Sequence, residues 1–118
     1  MIVKLNQVLQ SAEALKFVSS VPLDATTAFR VAKFLRKLQD EVDAYMAALK
    51  NIGARLGEPD GKGSIAIPPE RAAEFQIEHD ALLSIEIELP DFSLRVRDFR
   101  DAKIPPMHLV SLHWLLSE

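Results

Sequence analysis

Residues 24–56 read DATTAFRVAKFLRKLQDEVDAYMAALKNIGARL, and the apolar positions in this run decide the fold. Ala28, Val31, Leu35, Leu38, Val42, Tyr45, Leu49, Ile52 and Leu56 recur at alternating steps of three and four, the spacing that lines up side chains on one face of an α-helix. Asp24 is the N-cap candidate, a short acceptor side chain just ahead of the periodic residues. Gly57 supplies a glycine just past the last turn, and Pro59 prevents continuation. The spacing predicts one helix over 25–56, about 48 Å long at 1.5 Å per residue. A compact domain of this mass does not cover that length, so part of the helix is expected to project or to meet a partner.

On the N-terminal side, Met1 to Leu5 alternates apolar and polar and reads as a short edge strand. Asn6 is the next N-cap candidate, because Val8, Leu9, Ala12, Leu15 and Val18 follow at helical spacing until Ser19, Ser20 and Pro22 end the pattern. That predicts an amphipathic helix over about 7–19. Beyond the long helix, Glu58 to Gly63 reads as a polar loop and Ser64 to Ile67 as a short strand. Pro68-Pro69-Glu70 then opens a helix with Pro69 near its first position and Ala72, Phe75, His79 and Leu82 on one face. The short connection should turn that helix antiparallel to the long one.

From Ile85 the period changes to two, with Ile85, Ile87 and Leu89 on one side and Glu86 and Glu88 on the other. Leu94 and Val96 alternate with Arg95 and Arg97 in the same way. A hairpin over about 85–98, tipped by Asp91 and Phe92, would set Glu88 against Arg95, Glu86 against Arg97 and Ile87 against Val96. Val96 would then face the core. Pro105-Pro106 starts a last helix, to which Leu109, Val110, Leu112, Trp114 and Leu116 give a broad apolar surface. The expected fold is α+β and mainly helical: a long helix packed with shorter helices and a small antiparallel sheet. No repeat or composition break divides the chain, so residues 1–118 are read as a single domain.

Composition narrows the chemistry. The chain has 118 residues, 48% of them hydrophobic and 26% charged, the balance of a chain that folds around a core. Zero cysteines exclude disulfides, thiol nucleophiles, iron–sulfur centres and cysteine-ligated zinc. No apolar run reaches the roughly 18 residues of a membrane span, and the first residues lack a basic-then-apolar leader pattern, so the expected compartment is the cytoplasm. His79 stands between Glu78 and Asp80, but consecutive helical residues diverge by about 100° and cannot share one ion. His108 and His113, five apart, also fall on different faces, and His79 reads as a packing residue. Ser84, Ser93 and Ser111 have no nucleophile-elbow setting, and Glu86 and Glu88 are expected to be engaged by arginines. Gly57 to Gly63 lacks the order of a phosphate loop. No catalytic residue, cofactor site or metal site is assigned, and the chain is read as non-enzymatic.

Charge is informative on the long helix. Arg30, Lys33 and Lys37 fall within about 60° of arc with Arg36 flanking, before Asp40, Glu41 and Asp43 reverse the sign. This basic stripe at 30–37 suits an anionic surface, on nucleic acid or on a host protein to be inhibited. The net charge of −3 and the single Tyr and Trp argue against a dedicated nucleic-acid binder. The leading expectation is a protein partner, a second copy or another protein, met by the exposed part of Tyr45, Leu49, Ile52 and Leu56.

The run from Leu23 to Glu41, with Ala28-Phe29-Arg30-Val31-Ala32-Lys33-Phe34 leading to Leu38, is followed by Arg55, Gly57-Glu58-x-Asp60 and the strand from Gly63 to Ile67. An acidic helix through Phe75, an Ile-Glu-Ile-Glu-Leu strand and a proline-initiated end at Leu115-Leu116-Ser117-Glu118 complete the order. This arrangement resembles small uncharacterised proteins of tailed-phage and prophage genomes, with Leu56 standing where that pattern has an aromatic. The resemblance implies a phage-encoded accessory or assembly protein in the host cytoplasm, and transfers no functional residue.

Overall fold

The computed structural model describes residues 1–59, 61, 65–99 and 102–117. The expected long helix is present as Ala25–Leu56 (α2). Its first turn is closed by Asp24, whose Oδ1 accepts from the Thr27 amide at 2.7 Å. Before it, strand β1 (Ile2–Lys4) runs directly into helix α1 (Leu5–Ser19). The cap expected at Asn6 is not used. Helix α1 begins two residues earlier than expected, at Leu5, and its first amide donates to the Ile85 carbonyl at 2.8 Å, which satisfies a first-turn donor without a side chain.

After α2, strand β2 (Glu58–Pro59) pairs antiparallel with β3 (Ile65–Ala66). Lys62, Gly63 and Ser64, the expected end of the loop and start of the strand, lie outside the described residues, as does Asp60. Gly57 is extended (φ −96°) rather than left-handed. It must be glycine for another reason: a Cβ there would collide with the Ile65 side chain and stand 2.5 Å from the Gly53 carbonyl oxygen. A 3-10 turn at Pro69–Arg71 leads into helix α3 (Ala72–Leu83). Contacts of Tyr45 with His79 and of Arg55 with both Glu78 and Arg71 show that α3 runs antiparallel to α2.

The hairpin expected over 85–98 does not form. Strand β4 (Glu86–Glu88) pairs antiparallel with β1 instead, setting Val3 opposite Ile87 and Lys4 opposite Glu86. Ile87 and Leu89 face inward and Glu86 and Glu88 outward as expected, with a different partner strand, whereas Ile85, outside the strand, is 46% exposed. Beyond it, Pro90 has no amide to donate, and Phe92 stacks on Phe34 of α2 with ring centroids 4.3 Å apart and planes 5° from parallel. Only Leu94–Arg95 (β5) stays extended; Val96–Phe99 is a 3-10 turn, begun where the Arg95 amide donates to Asp98 Oδ2 at 2.9 Å. Val96 is therefore 55% exposed, and neither Arg95 nor Arg97 faces a glutamate in a ladder.

The expected last helix is also shorter. Helix α4 (Pro106–Ser111) starts at the prolines, but the chain then makes a 3-10 turn at His113–Leu115 and a strand β6 (Leu116–Ser117) parallel to β5. Glu118 lies outside the described residues. A buried relay accounts for the break in the helix. Trp114 Nε1 donates to Ser11 Oγ at 2.7 Å, and that hydroxyl donates to the Ser111 carbonyl at 3.1 Å, so the carbonyl at the end of α4 is satisfied by α1. Leu112 and Leu115 are buried, whereas Val110 is left in solvent.

One apolar cluster gathers Leu5, Val8, Ala12, Leu15 and Val18 of α1, Val31, Phe34 and Leu38 of α2, and Leu89, Leu94, Phe99, Leu112 and Leu115. It is confined to one end of the molecule. Overall extents are 51 × 30 × 22 Å and the radius of gyration is 17.3 Å, against about 13.5 Å for a compact chain of this length. The assignment of faces is tested by denaturant melts of two variants. Leu94→Ala should cost about 2–5 kcal/mol as a cavity in the core, and Val96→Asp should stay within about 0.5 kcal/mol of the parent.

Candidate functional site

Buried positions on α2 fall in two groups: Thr27, Val31, Phe34 and Leu38, then Ile52 and Leu56. Helix α1, about 22 Å long at 15 residues, covers the first group. Ile52 and Leu56 are covered by the far end of the chain's own fold, where β3 and α3 fold back. The expectation that all four of Tyr45, Leu49, Ile52 and Leu56 present an exposed part to a partner is thus corrected for Ile52 and Leu56, which are only 6% and 7% exposed. Tyr45 and Leu49 between the two groups remain half-buried.

None of the residues of α3 is fully buried; Leu82 packs on the core, and polar and aromatic contacts supply the rest of its attachment. Tyr45 Oη and His79 Nε2 are 2.9 Å apart, and the His79 ring lies on Phe75 at a centroid distance of 5.7 Å and 14° from parallel. Arg55 Nη2 meets Glu78 Oε1 at 2.7 Å, and Arg71 Nη1 donates to the Arg55 carbonyl at 3.0 Å, supplying a donor to the last turn of α2. His79 is a packing residue in this arrangement. His108 stacks on Phe17 with centroids 4.8 Å apart, and His113 is exposed. Among the described residues no group of three or more His, Asp or Glu side chains is placed to hold a metal ion.

Beside this cover lies an open apolar groove of about 590 Å³, lined by Met46, Ala47, Leu49, Lys50 and Gly53 of α2 together with Ile65, Ile67 and Phe75. Its floor is low because position 53 carries no side chain and position 47 only a methyl group. Met46 and Ile65 at its edges are 56% and 50% exposed, and Lys50 is the one charge among the described residues of its lining. Leu49 is thus the expected site residue that the structure carries into the groove. Met46, Ile65, Ile67 and Phe75 were not singled out as binding residues; Met46 sits off the main stripe, and the other three join α2 only through the fold.

The basic stripe is divided. Arg30 Nη2 donates to the Ser93 carbonyl at 2.8 Å and its guanidinium lies 5.5 Å over the Phe92 ring, so Arg30 pins the segment after β4 onto α2. Lys37 Nζ is 3.8 Å from Glu41 Oε1. Lys33 and Arg36 are exposed, and they line separate hollows, one with Arg30 and Phe92, the other with Lys16 and Gln39. The four do not converge on one ligand position. Glu86 and Glu88 stand on the exposed side of β4 without the expected arginines.

No helix is long and apolar enough to cross a membrane among the described residues. No protein-family model, curated protein or solved structure matches the chain.

The two kinds of contact on α3 should separate by salt dependence. Glu78→Ala removes a half-exposed ion pair and should cost at most about 1 kcal/mol at low salt and close to nothing in 1 M salt. Tyr45→Phe removes a hydrogen bond and should cost about 0.5–1.5 kcal/mol at both, as read by denaturant melts in the two buffers.

Proposed function

We propose that this chain is a small non-enzymatic accessory protein of the tailed-phage or prophage kind, acting in the host cytoplasm by protein–protein interaction through the far half of its long helix. The observation that carries the reading is the groove at Met46, Leu49, Gly53 and Ile65, which holds exposed apolar side chains on regular secondary structure with a single charge among the described residues of its lining. Concave apolar surfaces with few polar groups are the usual anchors of protein interfaces. The phage attribution rests on the resemblance in residue order. The rival reading, an anionic partner on the basic stripe, is less well served, because Arg30 and Lys37 are engaged within the chain.

A pull-down from the native cell with mass-spectrometric identification tests the proposal when three forms are compared. The groove reading expects the captured protein to be weakened at least about tenfold by Met46→Glu, and to be retained by a form with Arg30, Lys33, Arg36 and Lys37 all changed to Ser. Loss in the serine form with retention in Met46→Glu would replace it with the basic-stripe reading. Met46 is 56% exposed, so its replacement should leave the fold intact.

A further inference from the structure

Resting on the groove reading, we infer that the occupant of this surface is a second copy of the chain, packed through α2 in antiparallel fashion about a twofold axis between Met46 and Ala47. Asp43, Met46, Ala47 and Lys50 are three or four residues apart and share one side of the helix; all four are exposed. Asp43 precedes the Met46–Ala47 midpoint by the same number of residues as Lys50 follows it. An antiparallel partner therefore sets Asp43 of each copy opposite Lys50 of the other, twice by symmetry. A parallel partner sets like charges together, which the same surface opposes. Lys50 makes no ion pair with another described residue, and Asp43 Oδ1 accepts a hydrogen bond from Gln39 Nε2 at 3.1 Å. Both charges remain available across an interface.

Shape agrees with charge. The methyl group of Ala47 lets two helix axes approach to about 8 Å, the near end of the usual range, and brings the thioether of Met46 onto the other copy. One helix pair buries less than the roughly 1,200–2,000 Å² of a standard stable interface, and the dimer is accordingly weak and dependent on concentration.

Sedimentation velocity or light scattering on a dilution series of the full chain tests the inference. The wild type should pass from monomer to dimer as concentration rises. Asp43→Lys and Lys50→Glu should each weaken self-association at least about tenfold, because each sets like charges opposite one another. An equimolar mixture of the two variants should recover the dimer, since each copy supplies the charge the other lacks. A wild type that stays monomeric at every concentration overturns the inference, and so does a mixture no more associated than either variant alone. If a monomeric wild type still captures a protein in a Met46-dependent way, the second copy is refuted as occupant and the groove reading stands; if it captures none, both fall.

Discussion

The rest of the structure follows from the mismatch between a 32-residue helix and the elements available to cover it. An α-helix with this periodicity needs its apolar side covered along its whole length. Helix α1 is less than half as long as α2. The chain therefore builds its main core on the first half, where Val31, Phe34 and Leu38 meet α1, the strands and the C-terminal turns. The second half is covered separately by what immediately follows it in sequence. Between the two, Val42, Tyr45 and Leu49 are only partly covered, and the groove opens beside them.

The two covers differ in kind. Near Asp24 the helix is held by close packing: side chains at or near full burial, the stacked pair Phe34 and Phe92, and the satisfied Ser11 relay beneath Trp114. Near Leu56 the helix α3 buries no residue completely, and its attachment combines the partly buried Leu82 on the core with the Tyr45–His79 and Arg55–Glu78 contacts and Phe75 stacked on His79. Such contacts contribute less than core burial. A surface that must accept a partner is well placed on that second half, because a partner there adds cover to a helix that already exists.

Local signals made the helices readable. Periodicity with an aspartate before it and a glycine and proline after it located α2 to the residue, and Pro68-Pro69 located the 3-10 turn that leads into α3, which itself starts three residues after Pro69. The strands were readable only as faces. Alternation told that Ile87 points inward and Glu86 outward, but not that β4 would join β1 more than eighty residues away, since pairing over that distance leaves no mark in either segment. Gly57 was recognised as a terminator, while its close approach to Ile65 depends on where β3 lies. At the site, the stripe Tyr45, Leu49, Ile52 and Leu56 was legible as apolar, but periodicity shows which residues share a face and not which of them the fold covers. The basic stripe was legible as charge, and its use of Arg30 to hold Ser93 and Phe92 was not, because those residues follow sixty positions later.

Native-state hydrogen exchange along α2 tests the division of cover most directly. Amides of 31–42 should exchange only through global unfolding, while those of 46–56 and of α3 should open together at a lower free energy in dilute protein. Equal protection over the two halves of α2 would show that the far half is bound into the same cooperative core, and would contradict the account.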